Sequence, residues 1–337
     1  MTYKKLTILF LILISVFVLG FKKLPADDKC KYNQRAIGFE SYFYAFFGSN
    51  IPETEVEIVD DCSYEFYQGA YTAFKVSGYR YDKINDFCNQ VNAKSVPRAW
   101  NQCYFNLGSS ISYINTDTIK DAKGLSAMIT DKIGFCSKSY EGTKLSCIAG
   151  VYNGVNLIFQ KKNLVSDRLL NDVLVINNPF WVCNGEQEDV YQTQCFRNIV
   201  SFVYDFTNGD IYKAINLIEQ YTEVGNQRYE TKVTFFSNLA FRSNFNQNAV
   251  INLCIQLVGE NRRACINGYA NGITETTSNG EETDSVINYC INPKYKFSES
   301  GECLRYGLST LPVVDLKYNC LSKVPEVYKV FCEGVDK

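Results

Sequence analysis

Three groups of neighbouring carboxylates are the residues of this chain that could carry out acid–base chemistry. They are Asp60–Asp61, the trio Glu186, Glu188 and Asp189, and the trio Glu281, Glu282 and Asp284. Two carboxyl groups held about 5–9.5 Å apart can hydrolyse a glycosidic bond. All three groups lie in polar connecting segments, however, where solvated surface charge is the ordinary outcome. They leave open a glycan-acting enzyme, and no residue is assigned as catalytic.

Histidine is absent from all 337 residues. Its absence excludes Ser-His-Asp and Cys-His catalysis and every metal site that needs an imidazole ligand. The net charge is −2, and no basic cluster is longer than Lys22–Lys23 or Arg262–Arg263. Nucleic-acid binding is therefore not expected. No motif indicates a metal or another cofactor.

The 14 cysteines are too far apart for the Cys-x-x-Cys spacing of zinc and thioredoxin-type sites. From Cys88 onward they come in close pairs, which is typical of local disulfides in an exported protein. The remaining two cysteines pair by exclusion. The predicted bridges are Cys30–Cys62, Cys88–Cys103, Cys136–Cys147, Cys183–Cys195, Cys254–Cys265, Cys290–Cys303 and Cys320–Cys332.

The segments around these pairs predict a repeated unit of helix, cysteine, short polar connection, cysteine and helix. After the second cysteine, apolar or small residues recur at offsets of about +4, +7 and +8, which is one face of an α-helix. An antiparallel hairpin would hold the two Cα atoms at the roughly 4.4–6.8 Å that a disulfide needs. One hairpin without cysteines is expected at Asp210–Tyr221 and Arg228–Phe241.

The predicted fold class is therefore all-α, with about seven disulfide-stapled hairpins in an α-solenoid-like array after an N-terminal hydrophobic helix. The architecture resembles that of tetratricopeptide-type repeats, although their consensus residues are not present.

Two segments are nearly identical, "CIAGVYNGV" at Cys147–Val155 and "CINGYANGI" at Cys265–Ile273. Each places two glycines four residues apart, at Gly150 and Gly154 and at Gly268 and Gly272. A phosphate-cradling loop would need a preceding strand, and a cysteine hairpin precedes instead. We predict that these glycines allow close helix packing. Asn153 and Asn271 are the matching polar residues that merit a functional test.

Aromatic residues are abundant, with 24 Tyr and 23 Phe. Phe43, Phe46 and Phe47 share one helix face by their spacing and are predicted to pack between hairpins. Tyr42 and Tyr44 are expected to be exposed, either along the hairpin rims or as partner contacts.

The N-terminus predicts export. Residues 1–5 form a short cytoplasmic n-region, and residues 6–21 ("LTILFLILISVFVLGF") form either a signal peptide, cleaved after Gly20, or a retained signal-anchor helix. Residues 22–337 form an exported Cys-rich helical repeat domain, which is periplasmic, on the cell surface or secreted. A retained helix would tether it to the membrane.

No enzyme signature stands in the sequence. The architecture favours an exported or membrane-tethered helical-repeat protein that binds or scaffolds another protein or an envelope component. One alternative is an α/α-toroid enzyme that acts on a glycan through paired carboxylates. Another is a structural subunit of an envelope or membrane assembly.

Overall fold

The computed structural model describes residues 34–52, 63–94, 102–113, 119–139, 141–160, 178–184, 189–242, 246–276, 282–309 and 316–334. In these residues all regular structure is helical and no strand occurs, which confirms the all-α prediction. The apolar run 6–21 and the predicted Cys30–Cys62 bridge lie outside the described residues.

The chain divides into two compact units, Met1–Ile158 and Phe159–Lys337, and the division falls near the end of one helix. The helices of the first unit are α1 Gln34–Phe46, α2 Ser63–Val76, α3 Tyr81–Lys94, α4 Gln102–Tyr113, α5 Ala122–Cys136 and α6 Glu141–Gln160. The α-helices that follow are α7 Asp189–Phe206, α8 Ile211–Tyr221, α9 Asn226–Arg242, α10 Gln247–Gln256, α11 Gly259–Thr276, α12 Glu282–Cys290, α13 Phe297–Ser309 and α14 Leu316–Lys323. Two 3₁₀ helices, Trp181–Cys183 and Glu326–Gly334, also belong to the described part of the second unit.

Several helices begin at a side chain that binds the free amides of the first turn. Asp121 accepts a 2.8 Å hydrogen bond from the Gly124 amide at the start of α5. Asp210 accepts one of 3.0 Å from the Lys213 amide at α8. Such caps stabilise a helix by about 1 kcal/mol each, so these short polar residues fix where the helices begin.

Six disulfides join the hairpins within the described residues, and each links two cysteines that the spacing pairs. Their Cα–Cα distances lie between 5.4 and 5.7 Å. Every cysteine among the described residues is paired. The bridges are Cys88–Cys103, Cys136–Cys147, Cys183–Cys195, Cys254–Cys265, Cys290–Cys303 and Cys320–Cys332.

The second cysteine does not open its helix, although the sequence pattern suggests that it should. Cys147, Cys195, Cys265 and Cys303 each stand six residues after the first residue of their helix. The polar residues before the cysteine are themselves helical, and the first turns of α7, α11 and α13 carry Asp189, Glu260 and Glu299. A negative charge at that end is favourable because it faces the positive end of the helix dipole. Each of these four bridges therefore fastens the second turn of its helix, whereas Cys103 lies in the first turn of α4.

The hairpin without cysteines, α8 and α9, is present as predicted, with bounds that differ by one or two residues. A buried ion pair links its two helices. Lys232 has only 2% of its side chain exposed and lies 2.8 Å from Glu219 Oε1. Arg228 also donates to the carbonyl oxygens of Glu219 and Thr222, both at 2.8 Å. These contacts hold the hairpin where the others carry a disulfide.

Two predictions about the aromatic residues of α1 are wrong. Phe43 is buried, but Phe47 is 70% exposed because α1 ends at Phe46 and Phe47 belongs to the following turn. Tyr42 is completely buried rather than exposed, and its hydroxyl lies 2.9 Å from Ser77 Oγ. That hydrogen bond satisfies the polar end of the ring, so the apolar body can pack in the core. Tyr44 is half-buried.

In the second unit, α9, α11 and α13 pack side by side in the same direction. Near the start of α9, the Tyr229 ring lies beside Arg263 of α11, and near its end Ala240 lies beside Gly272. Arg263 in turn contacts Glu302 of α13, and Ala270 lies next to Gly307. These are the second helices of three successive hairpins. Their parallel packing places equivalent positions of each helix next to one another.

Candidate binding surface

The two nonapeptides occupy equivalent places in α6 and α11, at a close contact between neighbouring parallel helices. A Cβ atom on Gly150 would lie 2.0 Å from the carbonyl oxygen of Phe105, and one on Gly268 would lie 2.5 Å from that of Val233. A Cβ atom on Gly154 or on Gly272 would likewise lie close to backbone or side-chain atoms of the neighbouring helix. Backbone does not yield as a flexible side chain does, so only glycine fits. The prediction of close helix packing is confirmed.

The matching asparagines reinforce the same contact. Asn153 Nδ2 donates to Ser109 Oγ at 3.1 Å, and Asn271 Nδ2 donates to Ser237 Oγ at 3.2 Å. Ser109 also donates to the carbonyl oxygen of Gly150 at 3.0 Å. The nonapeptide is therefore a helix-packing element that is used once in each unit, and its polar residue is engaged between helices.

A polar network joins α9, α11 and α13 near their N-terminal ends. Asn267 Nδ2 donates to Tyr229 Oη at 2.6 Å and to Glu302 Oε1 at 3.1 Å, and Tyr229 donates to the same carboxylate oxygen at 3.2 Å. Arg263 forms a bidentate pair with Glu302 at 2.8 and 3.0 Å, and its guanidinium lies 5.5 Å from the centre of the Tyr229 ring. Such planar, charge-assisted contacts hold side chains in one orientation. The network presents an ordered aromatic and charged surface.

Three further ion pairs lie beside this network. Arg262 binds Glu299 in a bidentate manner at 2.7 and 2.9 Å, and both side chains are largely buried. Lys232 bridges Glu219 and Glu260, each at 2.8 Å. Alternating charges thereby connect α8, α9, α11 and α13.

A cleft of about 400 Å³ opens between the first turns of α11 and α13. Three cations and three carboxylates line it together with two small residues. They are Arg262, Arg263, Lys296, Glu260, Glu299, Glu302, Gly259 and Ser298. The cleft and the network share Arg263 and Glu302. We call the cleft and the residues Tyr229, Asn267 and Tyr306 together the α9–α11–α13 surface.

The electrostatics of the α9–α11–α13 surface favour ionised carboxylates. Burial alone would raise the pKa of Glu302, but the hydrogen bonds and charge of Arg263, with the hydrogen bonds from Tyr229 and Asn267, hold it below its ordinary value. Burial would also raise the pKa of Glu299, but the hydrogen bonds and charge of Arg262 and the hydrogen bond from the Lys296 amide hold it below its ordinary value. Burial, and then the charge of Glu302, raise the pKa of Tyr229. Burial and the neighbouring Glu230 likewise raise the pKa of Tyr306, whose hydroxyl donates to Glu230 Oε2 at 3.0 Å.

The carboxylate groups singled out in the sequence are not brought together among the described residues. Asp60, Asp61, Glu186, Glu188 and Glu281 lie outside the described part of the chain, as does the side chain of Glu282. The two that are described do not line the cleft. Asp189 is exposed at the start of α7, and Asp284 pairs with Lys323 at 2.8 Å.

A retaining or inverting glycosidase needs one carboxylic acid with a raised pKa. Each described carboxylate whose pKa clearly departs from its ordinary value is shifted downward. They are Asp82, Asp210, Glu219, Glu299 and Glu302. The hydrogen bonds and ion pairs of the surface therefore favour the ionised form of its carboxylates.

Local sequence patterns do not single out Tyr229, Asn267, Arg263, Glu299 or Glu302, because these residues come from three helices that are distant in the chain. A signal was present in the pairs Arg262–Arg263 and Glu299–Glu302. Arg262 to Glu299 and Arg263 to Glu302 are separated by 37 and 39 residues. That separation is close to one repeat, so aligning the hairpins would have placed opposite charges side by side.

Among the described residues, no cluster of three or more His, Cys, Asp or Glu side chains could hold a metal ion. No helix in the described part of the chain is long and apolar enough to cross a membrane. Comparisons with protein-family models, with curated proteins and with solved structures find no match to the chain. The class of protein must therefore be inferred from its own residues, as a disulfide-rich all-α protein with an ordered polar and aromatic surface.

Proposed function

We propose that this chain is an exported helical-repeat protein that binds another protein or an envelope component through the α9–α11–α13 surface. The observation that supports this most directly is the network of Tyr229, Arg263, Asn267 and Glu302, which draws one ordered surface from three successive hairpins. Repeat proteins commonly build their binding surfaces in this way, with each repeat supplying equivalent positions. Six local disulfides support export, since such bridges persist in oxidising compartments.

The packing supports a solenoid-like array within the second unit. Gly268 and Gly272 bring α11 close to α9, while the first helices of these hairpins have no equivalent glycine contact among the described residues. An array whose second helices are packed more tightly than its first helices curves toward the second helices. The α9–α11–α13 surface would then line the inner side, where a partner has the largest contact area.

The apolar run 6–21 completes the proposal as a cleaved signal peptide or a membrane tether. N-terminal sequencing of the mature protein distinguishes the two. If residues 1–20 are retained, the helical domain is held at the membrane surface and its partner is expected in the same compartment.

Site-specific photo-crosslinking tests the proposed surface. A benzoylphenylalanine at Tyr306, which lies on α13, replaces one aromatic side chain with another. The matched control is the same substitution at Tyr212 of α8, which is 54% exposed and lies outside the surface. In the cells that produce the chain, the Tyr306 variant should form a discrete crosslinked species and the Tyr212 variant should not. Equal labelling from both positions, or none from Tyr306, would contradict the proposal.

The two alternatives give different results in simple measurements. A glycan-acting enzyme would release reducing sugar from envelope polysaccharide, and loss of that release in an Asp189→Asn variant would favour it. A structural subunit would elute from size-exclusion chromatography as a large homo-oligomer, and the Tyr306 crosslinks would then join identical chains.

A further inference from the structure

One exposed apolar side chain stands near the start of the second helix in each of five consecutive hairpins of the second unit. Buried side chains dominate these hairpins, so large exposed apolar residues at one equivalent position are unusual. The residues and their exposed fractions are Val190 (45%), Val224 (84%), Val258 (79%), Phe297 (48%) and Val327 (60%). We call this set the apolar row.

The register of the helix packing shows that neighbouring members of the row lie side by side. Val224 and Val258 are 34 residues apart (258 − 224), the same separation as the stacked pair Tyr229 and Arg263. Val258 and Phe297 are 39 residues apart (297 − 258), the same separation as the ion pair Arg263 and Glu302. Val224 and Val258 precede α9 and α11 in the turns that lead into these helices, so the equal separations place the three residues at similar heights along the N-terminal edge of the α9–α11–α13 surface.

Contacts made by neighbouring residues show where the two ends of the row lie. Gln227 of α9 donates to Gln192 of α7 at 3.4 Å, and Gln192 is two residues from Val190. The Phe297 ring lies 5.3 Å from that of Tyr328, which is next to Val327. The row is therefore continuous along the edge, with neighbouring helices spaced by about 8–10 Å.

Carboxylates accompany the row. Asp189, Glu223 and Glu326 are exposed and directly adjoin Val190, Val224 and Val327, and exposed Glu260 follows Val258 by two residues. Lys296 is the cation that adjoins Phe297. Two of these carboxylates already have a cation, since Glu260 lies 2.8 Å from Lys232 and Glu326 forms an ion pair with Lys329. Asp189 and Glu223 therefore carry the excess negative charge beside the row, which is complementary to a basic ligand and repels an anionic bilayer.

We propose that the apolar row is a docking site for a polypeptide segment in which apolar side chains are interspersed with Lys or Arg. This inference rests on the proposed function and names the partner's chemistry. Apolar side chains of the segment cover the valines and Phe297, and its cations pair with Asp189 and Glu223. Because the row borders the charged cleft, the segment and the α9–α11–α13 surface form one continuous interface.

The test uses three immobilised 12-residue peptides on a biosensor, one of Leu and Lys, one of Leu and Glu and one of Ser and Lys. The full chain in a mild neutral detergent flows over them. We expect binding to the Leu/Lys peptide and at least tenfold weaker binding to each of the other two. Equal binding to the Leu/Glu peptide would overturn the assigned charge, and equal binding to the Ser/Lys peptide would overturn the apolar contribution.

Variants locate the binding on the chain. Val224→Ser with Val258→Ser should raise the Kd for the Leu/Lys peptide about tenfold or more, since burying one aliphatic side chain is worth roughly a factor of ten. Asp189→Asn with Glu223→Gln should also weaken binding and reduce its salt dependence. Tyr212→Ser, which changes an exposed residue outside the row, should alter neither the Kd nor its salt dependence. All these side chains are exposed, so far-ultraviolet circular dichroism should show an unchanged fold. Unchanged affinity in both row variants would overturn the proposal.

Photo-crosslinking separates failure of this inference from failure of the proposed function. With benzoylphenylalanine at Phe297, the crosslinked partner peptide should contain apolar residues and Lys or Arg. If Tyr306 forms crosslinks and Phe297 does not, the binding function stands and the apolar row is not part of it. If neither position forms crosslinks, the proposed function itself fails.

Discussion

Asn153 donates to Ser109 across two neighbouring helices at 3.1 Å, and Asn271 repeats this contact with Ser237 at 3.2 Å in the other unit of the chain. The repeated relationship shows that the asparagine belongs to the packing of the helices. A half-buried amide that meets a buried hydroxyl across an interface helps to fix the relative height of two helices, because sliding by one turn would break this hydrogen bond.

The Asn153–Ser109 pair should therefore show energetic coupling. Asn153→Ala should lower the free energy of unfolding by about 1–2 kcal/mol, because the remaining hydroxyl of Ser109 loses a partner. A double-mutant cycle with Ser109→Ala should give a coupling of about 1 kcal/mol in urea denaturation. Loss of partner crosslinking in Asn153→Ala at an unchanged midpoint would instead indicate a binding role for the asparagine.

Gly150 should not tolerate even a methyl group. A Cβ atom at this position would lie 2.0 Å from the Phe105 carbonyl oxygen, so the two helices must separate. We expect Gly150→Ala to cost about 2–4 kcal/mol in thermal or urea denaturation, by analogy with overpacking and backbone shifts in cores. Gly134→Ala in α5 is the control, since a methyl group there would meet no other atom within 4 Å. It should be neutral or stabilise by up to about 1 kcal/mol. A similar loss in both variants would mean that the contact is not tight.

Removal of a bridge should destabilise its hairpin without abolishing helicity. Replacing Cys254 and Cys265 together by Ser opens a bridge between residues 11 positions apart. The chain-entropy model gives a loss of about 3 kcal/mol. Denaturation of the double variant, compared with that of the parent under oxidising conditions, measures it. In reductant the parent should also lose stability, so the difference in stability between the parent and the double variant should shrink. A difference that stays unchanged in reductant would indicate a packing defect in the variant.

Stability should decrease at acidic pH because the carboxylates of the α9–α11–α13 surface become protonated. The pKa of Glu302 in the folded protein lies below its ordinary value of 4.5. The unfolded chain therefore takes up a proton first, so the stabilisation is present above pH 4.5 and is lost as the pH falls through the folded-state pKa. Glu302→Gln should show a shallower decline of the melting temperature between pH 5 and 3. Glu326→Gln, whose side chain is 87% exposed, should keep the parental profile.

At alkaline pH, buried tyrosines should determine how stability changes. Burial raises the pKa of Tyr67 to about 12 and raises those of Tyr229, Tyr289 and Tyr306 as well. The unfolded chain loses these protons near pH 10 while the folded protein retains them, so stability is present below pH 10 and is lost as the pH rises above it. Absorbance at 295 nm should show fewer ionised tyrosines at pH 11 in the native than in the denatured protein. Identical titrations would mean that these rings are accessible.

Most of the fold could be predicted from the sequence, but little of the candidate site could. The cysteine spacing and the periodicity after each second cysteine report on local geometry, and they predicted the helices, the six described bridges and the hairpin that lacks cysteines. The end of a helix depends on single residues, which is why the periodicity put Phe47 inside a helix that ends one residue earlier. The burial of Tyr42 could not be predicted because it depends on Ser77, which lies 35 residues away.

The network of Tyr229, Asn267 and Glu302 could not be read from local patterns, because its residues meet only through the packing of three helices. The apolar row has the same origin. A valine before a glycine resembles an ordinary turn residue until the register of the helices places it beside its counterparts.

The disulfides described above connect only cysteines that are consecutive in the chain, with separations of 11 to 15 residues. In terms of covalent topology, this part of the protein is a string of small rings that never overlap. A protease that cuts between two rings releases separate fragments without any reductant, and each fragment keeps its own rings closed. Duplication or deletion of one bridged segment likewise leaves no unpaired thiol, so the chain can change its length at these places without disturbing the oxidation of the remaining bridges.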